Sequence, residues 1–277
     1  MDYIQINPDN VAPVPRRPRT NKVAAYLFYR QLVSGGGGIV TDDLVLRSNF
    51  YDMANLGLDF PADGSAVFNG TSDYIQLPDS GLPSGTSART ITAWIYPNAN
   101  DNGRIFSYGT GATNQTFEII TQASTNYLAI IGYSNNYFST ATISLNQWAF
   151  VSATLSSGTL KMYINGSEVY SNGSATINTT LSGLARIGKS VWDVSDWDGN
   201  LANVAIWNRA LTSDEINSVM WKSYGDLSGS ETSGLQAWYA LDATSVFTDW
   251  YTYATNQGAV IEGRTCVDNA LNALAQL

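Results

Sequence analysis

The chain has 277 residues, of which 44% are hydrophobic and only 13% charged, and its formal net charge is −9. That is ample core material for a globular chain whose surface is rich in Ser, Thr, Asn, Gln and Gly, and it argues against disorder. Histidine is absent and Cys266 is the one cysteine, which removes the commonest general base and zinc ligand, a Ser-His or Cys-His nucleophile pair, and an intramolecular disulfide. Cys266 itself reads as a small buried apolar residue.

Charge is unevenly placed. Residues 1–50 hold six basic side chains against four acidic ones, and residues 51–277 hold eight against nineteen. An acidic body argues against nucleic acid as a partner, because phosphate neutralisation needs a basic face. The opening Met1-Asp2-Tyr3-Ile4-Gln5-Ile6 shows no basic leader before an apolar stretch, so no secretory signal is expected. No apolar run approaches the roughly 18 residues of a membrane helix, so no membrane partner is expected either.

In chain order, residues 7–20 carry four prolines and Arg16, Arg17 and Arg19, and should form an extended basic arm. Residues 23–33 are apolar enough for a short helix or a buried strand, and the Gly35–Gly38 tract is a flexible break. Residues 1–59 are expected to act as an N-terminal arm and docking segment.

From Ser65 onward, short alternating segments separated by Gly, Asn, Ser and Pro predict an all-β sandwich. Strands are predicted at 67–68, 74–77, 90–96, 104–108, 116–121, 128–133, 141–143, 148–155, 159–164 and 201–207. In Thr90–Tyr96 the alternation is strict, with Ile91, Ala93 and Ile95 on one face. Asn165-Gly166 between Lys161–Ile164 and Ser167–Tyr170 is a strong hairpin signal.

Two helices stand out. Thr212-Ser213-Asp214-Glu215 is a capping box, followed by the stripe Ile216, Val219, Met220 and Tyr224 and a stop at Gly225. The second is predicted from about 265 to 277, with Leu271 and Leu274 on its apolar side. Such a stripe needs a groove on this body or on a neighbour.

Five segments then carry a resemblance. Phe68-Asn69-Gly70-Thr71-Ser72-Asp73-Tyr74-Ile75, Ile91–Pro97, Gln147–Thr154, Leu160–Gly166 and Gly199–Ile216 follow, in order, the strand motifs of laminin-G-like, concanavalin-type jelly rolls. The resemblance implies an all-β antiparallel jelly-roll sandwich over residues 60–227, with 228–277 as a short C-terminal helical extension. Trp221–Leu227 followed by Leu235–Asp242 resembles the junction between such sandwiches in bacteriophage structural proteins.

Glycan hydrolases of this superfamily use paired carboxylates on one strand. Here Glu118 and Glu168, the glutamates in the sandwich strands, each stand alone, so no enzymatic activity is expected. The loop Trp192-Asp193-Val194-Ser195-Asp196-Trp197-Asp198 is the sharpest candidate site. Asp193, Asp196 and Asp198 could chelate calcium, and Trp192 and Trp197 could stack on sugar rings or anchor the loop. The resemblance places a structural calcium on an Asp where this chain has Ala202 and Asn203. Tyr133, Asn135, Asn136 and Tyr137 form a second polar-aromatic loop. Calcium apart, no cofactor is expected.

Taken together, these features predict a non-enzymatic virion structural protein, a capsid decoration or head-surface protein. It would be localised to the virion, would form a homo-oligomer, and would dock on other virion or capsid proteins through Arg16, Arg17, Arg19, Leu271 and Leu274. The alternative is a carbohydrate-binding adhesin module of a tail fibre or surface protein, with a glycan as partner.

Overall fold

The computed structural model describes residues 64–192 and 195–241, with the backbone of two further strands at Thr255–Gln257 and Val260–Gly263. The chain divides into units 1–59 and 60–277, and everything described belongs to the second. The arm, with Arg16, Arg17 and Arg19, and the helix predicted for 265–277, with Leu271 and Leu274, lie outside the described residues.

The strands are β1 (Gly64–Asn69), β2 (Tyr74–Leu77), β3 (Arg89–Pro97), β4 (Arg104–Gly109), β5 (Thr116–Thr121), β6 (Tyr127–Ile131), β7 (Asn136–Thr142), β8 (Ala149–Ser156), β9 (Thr159–Ile164), β10 (Ser167–Asn172), β11 (Ala185–Ile187), β12 (Asp198–Trp207), β13 (Leu235–Tyr239), β14 (Thr255–Gln257) and β15 (Val260–Gly263). They build two antiparallel sheets facing each other as a sandwich. The first runs β10-β9-β8-β3-β12-β1-β15 with β13 also paired to β12, and the second runs β14-β2-β11-β4-β5-β6-β7. β13, β14 and β15 therefore extend this sandwich rather than begin another.

Local chemistry explains the elements. The β-branched and aromatic run of β3 suits a pleated strand, and its alternation puts Ile91, Ala93 and Ile95 into the core between the sheets. Phe106 and Tyr108 of β4, Phe117 and Ile119 of β5, and Leu128 and Ile130 of β6 meet them from the second sheet. Asn165 and Gly166 turn β9 into β10 with φ of 49° and 78°, the paired positive values a type I′ hairpin needs.

On β12 the alternation is rescued by a bulge. Leu201 faces the core and Ala202 faces out, and Asn203 is then inserted at φ 47°, so that Val204 and Ile206 face inward again. The Asn203 amide donates to the Ala240 carbonyl at 3.0 Å, where β13 hands on from β1 as the neighbour of β12.

The outer face of the first sheet is closed by a roof. Helix α1 (Ser213–Val219) begins at the predicted capping box, with Thr212 and Glu215 each satisfying the other's amide. Its Ile216, Val219 and Met220 pack with Trp94, Trp148, Phe150, Tyr163, Trp207 and Trp238. The Trp94 indole donates to the Met220 carbonyl at 2.9 Å. That bond takes up the helix terminus, so α1 stops well before Gly225. Tyr224 sits instead in a separate turn, Tyr224–Asp226, and is 46% exposed. A one-turn helix, α2 (Gly229–Thr232), completes the roof, with the Trp207 indole donating to the Glu231 carbonyl.

Three other expectations change. The strand predicted at 141–143 is the end of β7, which begins at Asn136. Segment 128–133 leaves its strand at Ile131, and β11 was not predicted.

Glu231 ties α2 to the end of α1. Its carboxylate accepts from Lys222 at 2.6 Å, Ser218 at 2.7 Å and the Ser228 amide at 2.6 Å. Burial alone would raise its pKa, but Lys222, Ser218 and Ser228 outweigh it and hold the carboxyl down to about 2. A carboxyl lowered in the fold stabilises it above its unfolded pKa, and that contribution is lost as pH falls through the folded value. Denaturant titrations from pH 5 down to pH 2 should therefore show a progressive loss of stability. Glu231→Gln should flatten this slope and cost about 3 kcal/mol at pH 7, because Lys222 is left without its partner.

Candidate functional site

With the first sheet roofed, the outer face of the second sheet is, among the described residues, a sheet face that carries an open groove. Alternation selects them. Ser107 pairs with Glu118, Glu118 with Ile131, Ile120 with Ala129, Ala129 with Phe138 and Ile131 with Asn136, so these residues share the outward face. Ile120, Ala129 and Ile131 form an apolar floor, on which Trp192 packs. A groove of about 390 Å³ runs over this floor, lined also by Asn102, Arg104, Gln122, Tyr133, Ser134, Asn136 and Phe138.

Trp192 is held at both ends of its loop. At the base, Lys189 bridges to Asp196 across the backbone and by a 2.6 Å ion pair, and the Ser190 amide donates to the Ser195 carbonyl. Beside Trp192, the Ser190 hydroxyl donates to Glu118 at 2.9 Å and accepts from the Trp192 amide at 3.2 Å, while Arg186 donates to the Ser190 carbonyl. Glu118 is fully buried, and its other oxygen accepts from Arg104 Nε at 3.2 Å. Burial pushes the Glu118 carboxyl up, opposed by Arg104, Ser190 and the Val191 amide.

Tyr133 faces Trp192 edge-on, with ring centroids 4.8 Å apart and planes at 89°. The hairpin that presents it is strained. The Gly132 amide donates to the Asn135 carbonyl, and Tyr133 and Ser134 between them both adopt positive φ, 55° and 67°. That is the type I′ geometry which Asn-Gly adopts at low cost and Tyr-Ser does not. Both rings stay partly open, and Tyr133 is 39% exposed.

The candidates from sequence separate here. Trp192 and Tyr133 come together in the groove. Trp197 does not join them: it is 1% exposed within the core and lies so close to Gly103 that a Cβ there would stand 2.7 Å from the indole. It is a plug between the sheets and cannot serve as a stacking platform. Asn135 donates to Asn114 and Thr176, beside the groove rather than in it.

Asp196 is matched by Lys189, and Asp198 at the start of β12 accepts from Asn98 at 3.2 Å. Asp193 lies outside the described residues. Partial burial raises the Asp101 pKa, and nearby Asp198 and Asp196 raise it further. Yet among the described residues no three acidic, His or Cys side chains group closely enough to hold a metal ion. Ala202, where the resemblance places an Asp, is buried under the roof and offers no oxygen. The described residues therefore do not fit the calcium site that the resemblance implies.

Asn102, Arg104, Gln122 and Phe138 were not singled out from sequence, whereas Asn136, expected in a polar-aromatic loop, opens β7. The alternation of β5, β6 and β7 puts Asn136 and Phe138 on the outward face, but only once the register is known.

A family model described as the concanavalin A-like lectin/glucanases superfamily matches residues 69–217. The chain belongs to this superfamily. Among solved structures of this superfamily's sandwich fold, a proposed carbohydrate binding protein from Bacteroides ovatus is 18% identical with a TM-score of 0.56; the match covers 73% of this chain and 60% of that protein. The heptameric SAP-like pentraxin of Limulus polyphemus is also 18% identical, with a TM-score of 0.53, over 74% of this chain and 97% of the pentraxin. These likenesses show the fold. Neither protein is described as a virion component, and the virion reading draws no support from them. No curated protein sequence matches the chain.

Two outcomes are expected. Replacing Tyr133-Ser134 by Asn-Gly should raise the unfolding free energy by about 1–2 kcal/mol in denaturant titrations, by relieving the turn. Arg104→Met should destabilise by about 3–5 kcal/mol at pH 7, because Glu118 is left buried without its cation. That deficit should shrink as pH is lowered, since the carboxyl already raised by burial rises further without Arg104 and becomes neutral.

Proposed function

We propose that the chain is a non-catalytic glycan-binding module, of the kind found in adhesins, whose ligand lies in the groove on the outer face of the second sheet. The observation that carries this reading is the Trp192–Tyr133 pair standing over an apolar floor edged by Asn102, Gln122 and Asn136. Aromatic rings cover the C–H face of a sugar while a few placed amides bond its hydroxyls, the usual balance of a small-molecule site. The relative from Bacteroides ovatus, itself a proposed carbohydrate binding protein, supports the reading.

A non-catalytic role is supported by the carboxylates. Glycosidic cleavage calls for two of them flanking the bond, about 5–10 Å apart. Glu118 is fully buried beneath the groove and paired with Arg104, and among the described residues no acidic side chain lines the groove itself.

Binding measured on a glycan array and by calorimetry should fall at least about tenfold, or about 1.4 kcal/mol, in Trp192→Ala and in Tyr133→Ala, without loss of fold. Trp197→Ala should instead lower stability by about 3–5 kcal/mol. A glycan held equally well by both groove variants would place the site elsewhere.

A further inference from the structure

The groove is almost free of usable charge. Among the described lining residues only Arg104 is charged, and its side chain is 9% exposed. Its Nε donates to Glu118 and its Nη1 to the Asn102 carbonyl at 2.7 Å. The pair is neutral as a unit, with Arg104 in the groove wall and Glu118 buried behind it.

The next cations on this face are also engaged. Arg186 donates to the Ser190 carbonyl and lies 4.9 Å over the Tyr74 ring, while Lys189 is matched by Asp196. A ligand carboxylate or sulfate would lose hydration here without gaining a partner, and would do so on a chain of net charge −9.

The polar groups left for a ligand are uncharged: the hydroxyls of Tyr133 and Ser134 and the amides of Asn102, Gln122 and Asn136. Asn102 Oδ1 accepts from the Ala123 amide and Gln122 Oε1 from Thr125, which leaves each side chain its NH2 donors. The side chain of exposed Asn136 has no hydrogen-bond partner among the described residues, so it can offer both donor and acceptor.

We infer that the groove selects uncharged glycans, in which hydroxyls meet these amides and a C–H face meets Trp192 and Tyr133. This specificity rests on the glycan-binding reading above. Sialylated, uronate-bearing and sulfated ligands are rejected for want of a free cation among the described residues.

The test is a titration of the full chain against an array of neutral oligosaccharides and their sialylated, uronate-bearing and sulfated counterparts, at low and high salt. Neutral ligands should bind at least about tenfold more tightly than charged counterparts, with little salt dependence because no ion pair forms. Asn136→Lys, which places a cation at the rim, should narrow or reverse that preference. Tighter binding of the charged set, or a preference unmoved by Asn136→Lys, overturns the specificity while leaving glycan binding intact. Absence of binding to every glycan overturns the underlying reading and this inference with it.

Discussion

Successive side chains of a strand face opposite ways, so every strand of a two-sheet sandwich must satisfy two environments at once. The inward set of both sheets makes a common core, and what differs is the outward set. On the first sheet that set is aromatic, and it is sealed by α1, α2 and the indole bonds of Trp94 and Trp207. On the second sheet it is mixed: apolar residues under Trp192, amides at the edge, and a carboxylate beneath. Among the described residues the two outer faces therefore differ, one roofed and one grooved, and one inserted residue, Asn203, keeps β12 in phase along its length.

Glu118 connects core, loop and groove. A carboxylate this deeply buried is unfavourable unless its acceptors are used, and here Arg104, Ser190 and the Val191 amide use them. The same bonds fix the loop that carries Trp192. Stability of the second sheet and placement of the groove's principal ring are therefore one problem, which is why a glutamate standing alone in the sequence matters without being catalytic.

The fold was legible because its signals are local. The alternation of β3, the Asn165-Gly166 turn and the Thr212–Glu215 capping box each need only a few residues, and each formed where expected. The site was half legible. Trp192 and Tyr133 announce themselves as aromatics in polar loops, but Trp197, identical in kind and five residues on, is core. Only the third dimension separates them, through the close approach of Gly103. Asn136 was read as loop and Phe138 was hidden, because the start of β7 is Asn-rich and because facing requires register across β5, β6 and β7. Arg104 was hidden by its pairing with Glu118 across neighbouring strands, which no spacing along the chain encodes.

The loop between Lys189 and Asp196 is clamped at its base by backbone pairing and an ion pair, and both belong to the scaffold rather than to the tip. The residue it displays is in turn tied, through its amide and Ser190, to Glu118 and Arg104 in the sheet below. Moving that residue therefore reaches into the framework: a shift of Trp192 is felt at a buried ion pair. A sandwich wired this way trades ease of retuning for a fixed position of its displayed side chain.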